Sequence, residues 1–151
     1  MTAIDEAFPS DAWFSELVAR ALADRSALER LGIAELRLGI EITEDGNGPR
    51  LFGIVLDGYD IESLGELADS ELGAAATVSG PLEAWREMVA SIEEHGQADT
   101  AHTLNTLSIA GVPFTLRSAD SMGYDKFFRY MGTLQALFDG AGSPASPAVV
   151  D

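Results

Sequence analysis

Two histidines and an aspartate, His95, Asp99 and His102, have a spacing that could bring metal-binding side chains together. Positions i, i+4 and i+7 share one face of a continuous helix, and imidazole and carboxylate groups are common zinc ligands. Gly96, however, follows His95 directly and is a typical helix-terminating residue. We therefore predict no metal site. His95 instead suits the negative end of a helix dipole, and His102 is expected to be a hydrogen-bonded histidine.

The usual motifs of nucleophilic catalysis and phosphate binding are absent. The chain has no cysteine, which excludes thiolate nucleophiles, thiolate zinc sites and disulfides. It has no Gly-x-Ser-x-Gly elbow, although a Ser–His–Asp triad could still assemble from distant positions. The glycine-rich stretch at residues 45–49 lies between two predicted strands, so it is typical of a hairpin rather than of a phosphate loop. We predict no cofactor.

Acidic residues dominate the charge of the chain. With 25 Asp and Glu against 9 Lys and Arg, the net charge is −16. Neighbouring carboxylates such as Glu93 and Glu94 could perform acid–base chemistry, but at this abundance such pairs arise by chance on solvated faces. A field of this sign repels nucleic-acid phosphates and anionic headgroups. We therefore expect no nucleic-acid partner and, without a run of about 18 apolar residues, no membrane insertion.

Hydrophobic periodicity then predicts the elements that would position these side chains. Ser10 is a helix N-cap, Ser26 with Glu29 forms a second capping box, and Asp120 caps the last helix. Apolar residues alternate with polar ones in residues 36–43, which is typical of a half-buried strand. The predicted helices cover residues 11–24, 26–32, 81–95, 99–104 and 121–139, and the predicted strands cover residues 36–43, 51–56, 59–64 and 74–79, with a broken strand at 107–109 and 114–116.

This order, α(α)–β–β–β–β–α–α–β–α, predicts a single α+β domain over residues 1–139. Consecutive strands joined by short turns favour a mostly antiparallel sheet, here of five strands, covered by helices on one side. The Gly, Ser and Pro content of residues 140–151 predicts a flexible tail.

The last predicted helix carries an unusual number of aromatic residues. Of the 10 Phe and Tyr residues, half lie between Tyr124 and Phe138. Core packing is the ordinary reason for such a stripe. Because the stripe faces a strand of small residues, Ala74 and Ala76, it could also leave an apolar volume unfilled. Polar groups near that volume would make a small-molecule site. Candidates for these groups are His102, Asn105 and Arg129.

Several stretches of the sequence resemble small bacterial members of the sterol-carrier-protein-2-like family. They are FPSDAWF at residues 8–14, AATVSGPLEAW at residues 75–85, HTLN at residues 102–105 and DKFFRY at residues 125–130, with LQ and FD following in the same helix. The resemblance covers residues 8–139. Its motifs are packing signatures rather than a catalytic fingerprint.

The resemblance implies a hydrophobic tunnel between sheet and helices that carries a sterol, fatty-acyl or polyketide-like lipid without chemistry. The strongly acidic chain departs from the basic pocket mouths of many carriers, which favours a neutral ligand over acyl-CoA. His102, Asn105 and Arg129 would be polar ligand-binding groups. The helix residues that would face the tunnel are Trp13, Leu17, Trp85, Met88, Val89, Ile92, Phe127, Phe128, Met131 and Leu134.

Two other classes of function stay open. An isomerase or cyclase of secondary metabolism could use His102, Asn105 and Arg129 as acid–base and oxyanion groups in the same cavity. A protein–protein interaction domain could instead dock an apolar face on a partner enzyme or on a second copy, as a homodimer. The acidic N-terminal stretch lacks the features of a secretory signal, so we expect a cytoplasmic location.

Overall fold

Helices and strands follow one another in nearly the predicted order. The structure, a computed structural model, describes residues 4–43, 48–109, 113–118 and 120–142. Within these ranges the helices are α1 (Asp11–Ala23), α2 (Arg25–Leu31), α3 (Asp69–Leu72), α4 (Leu82–His95), α5 (Leu104–Ile109), α6 (Ser121–Arg129) and α7 (Met131–Asp139). The strands are β1 (Ala34–Thr43), β2 (Arg50–Gly58), β3 (Asp60–Glu66), β4 (Ala76–Pro81) and β5 (Thr115–Ser118).

The five strands form one mixed sheet in the order β3-β2-β1-β4-β5. Antiparallel pairing joins β1 to β2, β2 to β3 and β4 to β5, whereas β1 and β4 run parallel. The parallel pair arises because the chain leaves β3 at one edge and returns through α3 to the far side of β1. The predicted α+β class and the mostly antiparallel five-stranded sheet are confirmed.

Alternate residues of the central strand face the main core. Leu38 and Ile40 of β1 are fully buried, and their partners Ile54 and Phe52 in β2 lie on the same face. Each such side chain contributes about 1.5–3 kcal/mol through burial. Helix α4 closes one side of this core with Trp85, whose indole N–H donates a 3.2 Å hydrogen bond to the carbonyl of Glu41.

The opposite face of the sheet is covered by the short helix α3, which the sequence did not predict. A methyl group at Gly39 or Gly53 would meet the side chain of Leu72 at 3.1 or 2.8 Å, so these glycines let Leu72 pack directly on the strands. Leu72 is buried as a result. Helices therefore contact both faces, whereas the sequence predicted helices on one side of the sheet.

The segment before β5 differs from the prediction. Residues 99–103 form turns in which the Asp99 carboxylate accepts from the N–H groups of Ala101 and His102, both at 3.0 Å. The helix begins only at Leu104, where α5 covers the stretch 107–109 that was predicted as strand. The predictions of a helix at 99–104 and a strand at 107–109 were therefore wrong, whereas β5 overlaps the predicted strand at 114–116.

Two helix termini follow their predicted caps and one does not. Ser10 accepts from the N–H of Trp13 at 3.1 Å, and Asp120 accepts from the N–H of Gly123 at 3.0 Å. The Ser26 capping box is wrong, because the N-cap of α2 is Asp24, two residues before Ser26. The single last helix is also divided: Tyr130, at φ −96° and ψ 19°, separates α6 from α7.

The first residues of the predicted tail are packed against the domain. Ala141 is fully buried, and Arg20 of α1 donates to the carbonyls of Gly140 and Gly142. Residues 143–151 of the predicted tail and most of the predicted turn at 45–49 lie outside the described residues.

Candidate ligand-binding site

An apolar pocket opens where α1, α2 and α7 meet. It has a volume of about 260 Å³. Its walls are formed by Arg20, Ala21, Ala23, Asp24, Ala27, Leu28, Leu31, Ala136, Leu137 and Gly140. Apart from one arginine and one aspartate, these side chains are aliphatic or absent, so the pocket suits an apolar group.

The pocket exists because small side chains occupy the junction of three helices. Helix α1 ends at Ala23 and α2 begins at Arg25, so the chain turns sharply at Asp24, whose φ is −113° and ψ 62°. Helix α7 packs against both helices, but Ala27 and Ala136 are too short to fill the space between them. The buried side chains of Leu28 and Leu137 form its inner wall.

Arg20 joins the pocket wall to the end of α7. Its Nε atom lies 3.1 Å from Glu16, and one terminal nitrogen donates to the carbonyls of Gly140 and Gly142 at 3.0 and 3.2 Å. These carbonyls follow the last turn of α7. At a helix C-terminus the last carbonyls lack an intrahelical donor and the helix dipole is negative, so a cation is favoured there. Arg20 therefore fastens α7 to α1.

Asp24 is the second polar residue of the wall. It occupies the N-cap position of α2, yet its carboxylate makes no capping hydrogen bond. Its Oδ1 atom accepts from the hydroxyl of Ser26 at 3.3 Å. Asp24 is exposed, and no Lys or Arg among the described residues forms an ion pair with it. The rim of the pocket thus carries a carboxylate that lacks a direct ion-pair partner in the described part of the chain.

A polar network holds the other side of α7. The Asp139 carboxylate accepts from the N–H of Ala98 at 3.1 Å and from the amide of Gln135 at 2.8 Å. Gln135 in turn accepts from the N–H of Leu104 at 2.7 Å. Burial raises the pKa of Asp139, and the two hydrogen bonds oppose that rise only in part. Helix α7, which forms one wall of the pocket, is therefore fixed from both sides.

Solved structures share this arrangement of sheet and helices. A crystal structure of sterol carrier protein 2 aligns over 90% of this chain and 97% of its own, with a TM-score of 0.65 and 14% identity. A solution structure of a conserved hypothetical protein from Thermus thermophilus, described as possibly a sterol carrier protein, aligns over 96% of both chains, with a TM-score of 0.59 and 12% identity. The chain has the sterol carrier protein 2 fold. No protein-family model and no curated protein matches its sequence.

Within the sterol carrier protein 2 fold, the apolar residues predicted for a tunnel lie in the core. Trp13, Leu17, Trp85, Met88, Val89, Ile92, Phe127 and Leu134 are buried, and Phe128 and Met131 are half-buried against them. None of these residues lines the pocket between α1, α2 and α7. The predicted tunnel between sheet and helices therefore stays a prediction.

The polar residues predicted for the same cavity are not brought together. His102 pairs with Asp99, whose carboxylate lies 2.8 Å from Nδ1, and this hydrogen bond lowers the pKa of Asp99. Arg129 is exposed and forms an ion pair with Asp125, one turn earlier in α6. Asn105 is exposed on α5. Each group is thus engaged locally or faces solvent.

Other functional features of the described residues are few. No three His, Asp or Glu side chains of the described ranges are grouped as a metal site. None of the helices in those ranges is both long and apolar enough to cross a membrane. Large apolar side chains are exposed at Leu31, Ile33, Ile109, Met122 and Tyr124. Docking on a second copy or on a partner enzyme stays a prediction.

The sequence interpretation missed the pocket residues because alanine carries little positional signal. Ala21, Ala23 and Ala27 are good helix formers, and nothing in their spacing separates a wall of a pocket from an ordinary helix surface. The one available signal was the sharp break between two short helices at residues 24–25, which leaves room for a third helix to pack across it.

Proposed function

We propose that this protein binds an apolar small molecule and carries or presents it, without making or breaking a bond. The observation that supports the proposal most strongly is the aliphatic pocket between α1, α2 and α7. Its place in a sterol carrier protein 2 fold adds support, because similar structures bear the name of a lipid carrier.

The chemistry of the pocket favours binding over catalysis. Arg20 and Asp24 are the ionisable residues of its wall, and Arg20 is occupied by Glu16 and by the carbonyls after α7. A general acid or base needs a titratable group within hydrogen-bond reach of the substrate. His102 lies at a different groove, beside Asp99 and Glu94 of the described surface. Asp24 is therefore the remaining titratable group of the wall, which within the described residues offers no second one to return a proton that Asp24 would take.

The size of the pocket suits one part of a lipid. Its volume of about 260 Å³ is slightly below the range of about 300–1,000 Å³ that is typical of small-molecule sites. Leu28 and Leu137 of its inner wall belong to the same core cluster as Leu17 and Leu134. The pocket thus adjoins the core cluster that holds predicted tunnel residues, without including any of them.

Filling the pocket tests the proposal. Replacing Ala136→Leu or Ala27→Leu adds an aliphatic side chain to the wall without adding charge. We expect either variant to weaken binding of the neutral apolar dye Nile red about tenfold, because the new side chain takes the space of the ligand. Dye fluorescence titrated with protein measures the dissociation constant.

Ala90→Leu is the matched control, because Ala90 lies exposed in the middle of α4, away from this pocket. It should bind Nile red as the natural chain does. The proposal is contradicted if all three variants bind the dye equally well while remaining folded by circular dichroism.

A further inference from the structure

We infer that the bound molecule has a polar end that donates a hydrogen bond, a hydroxyl or an ammonium group, rather than a carboxylate or phosphate. This inference rests on the proposed function and specifies the ligand of the same pocket. It follows from the states of the two ionisable residues in the wall, Arg20 and Asp24.

Arg20 is poorly placed to receive an anion. Its side chain is only 10% exposed, and its guanidinium already contacts the Glu16 carboxylate at 3.1 Å. The carbonyls of Gly140 and Gly142 accept from the same group. An anionic headgroup would have to displace these acceptors and would meet the negative charge of Glu16. Displacing them would also release the end of α7.

Asp24 lines the pocket, and its carboxylate keeps capacity to accept further hydrogen bonds. Aspartate at an N-cap position usually accepts from the backbone of the helix that follows, but here the side chain makes no such bond, and the N–H of Ala27 donates instead to the Asp24 carbonyl at 3.1 Å. The carboxylate is left with the Ser26 hydroxyl as its polar contact in the described chain. A carboxylate accepts readily from hydroxyl and ammonium groups and repels other anions.

The neighbouring cations of α2 do not cancel this preference. Arg25 is engaged with Asp60, whose carboxylate lies 3.1 Å from its guanidinium. Arg30 lies at the other end of α2, about 9 Å along the helix axis from Asp24, and forms no ion pair with the Asp24 carboxylate in the part of the chain that the structure describes. The net charge of −16 adds a long-range repulsion of anions.

Ligands that share one alkyl chain and differ in headgroup separate the contribution of the headgroup to affinity from that of the chain. 1-Dodecylamine, 1-dodecanol and dodecanoate, each kept below its aggregation concentration at neutral pH and low salt, would compete with Nile red. We expect the amine and the alcohol to bind at least about fivefold more tightly than the carboxylate. Equal affinity of all three would overturn this inference and leave the proposed function intact. Failure of all three to bind would contradict the proposed function itself.

Reversing the charge at Asp24 tests whether this residue sets the headgroup preference. Asp24→Lys should reverse the order, so that dodecanoate binds more tightly than dodecylamine, while dodecanol changes little. Glu62→Lys is the control, because Glu62 is exposed on β3, where its partner Val55 belongs to the sheet face opposite the main core. If Glu62→Lys shifts the order as much as Asp24→Lys does, net charge rather than Asp24 sets the preference and the assignment is wrong.

Discussion

At the scale of single residues, the pocket depends on two polar side chains that hold α7 in place. Arg20 donates hydrogen bonds to the carbonyls beyond the helix, whereas Asp139 accepts from the segment before α5. Arg20 is charged at every physiological pH. Asp139 is buried enough for its pKa to be raised, so its contribution to stability depends on pH.

Asp139→Asn should change the pH dependence of stability in a defined direction. Burial disfavours the ionised carboxyl, so Asp139 contributes most below the pKa of an unfolded aspartate and loses that contribution as pH rises through its raised pKa. An asparagine keeps an oxygen that can accept from Ala98 and Gln135 but never ionises. As pH rises from about 3 to about 7, the free energy of unfolding of the variant should therefore increase relative to that of the natural chain. Urea unfolding at both values measures this gain.

Asp99→Asn serves as a control of opposite sign. The hydrogen bond from His102 lowers the pKa of Asp99, so its contribution is present above the unfolded pKa and disappears as pH falls through the lowered value. This variant should be less stable than the natural chain near neutrality, with a difference that shrinks in acid. Parallel pH profiles for the two asparagine variants would contradict the assigned environments.

At the scale of elements, α6 approaches the chain closely where it enters β4, an interior strand of the sheet. Gly123 is buried, and a methyl group there would overlap the carbonyl oxygen of Ala75 just before β4. The small residues around β4 suggested an unfilled volume under the last helix. In the structure the backbone of α6 comes so close to the chain at Ala75 that no side chain fits between them at Gly123.

Gly123→Ala should therefore destabilise the domain by about 1–3 kcal/mol, because helix and strand must separate to admit the methyl group. Gly132→Ala in α7 is the matched control, since its new methyl group would meet only a Leu31 side chain at 3.7 Å. That substitution should stabilise the helix by about 0.5–1 kcal/mol. Denaturant unfolding distinguishes the two, and equal effects would argue against close packing of α6.

Elements with a long, regular pattern were predictable and short ones were not. The alternation in β1 and the capped amphipathic pattern of α1 each gave nearly the observed bounds. In α5, Leu104 and Leu107 fit a helix while Leu107 and Ile109 fit a strand, so six residues could not decide between the two periods. The Thr103 hydroxyl, which accepts from the N–H of Thr106 at 3.1 Å, was the overlooked helix-start signal.

At the scale of the whole molecule, the fold could be anticipated but the pocket could not. The order of helices and strands and their apolar faces specifies which layers pack together. This chain and sterol carrier protein 2 therefore share a fold although their sequences are only 14% identical. The pocket depends instead on how α1, α2 and α7 are placed, because the short side chains at their junction leave a volume unfilled. That placement is set by the local turn at Asp24 and by the fastening of α7 through Arg20, which contacts a carbonyl 120 residues later in the sequence.

The most direct test of the account is to locate a bound ligand by alanine-methyl NMR. Titration with 1-dodecanol should shift the methyl resonances of the pocket alanines and leave that of Ala90 on α4 unchanged. The pocket alanines are Ala21, Ala23, Ala27 and Ala136. Saturable shifts confined to these methyls are the predicted result. Shifts centred elsewhere, or none at ligand concentrations up to its solubility, would contradict the claim that this pocket is the binding site.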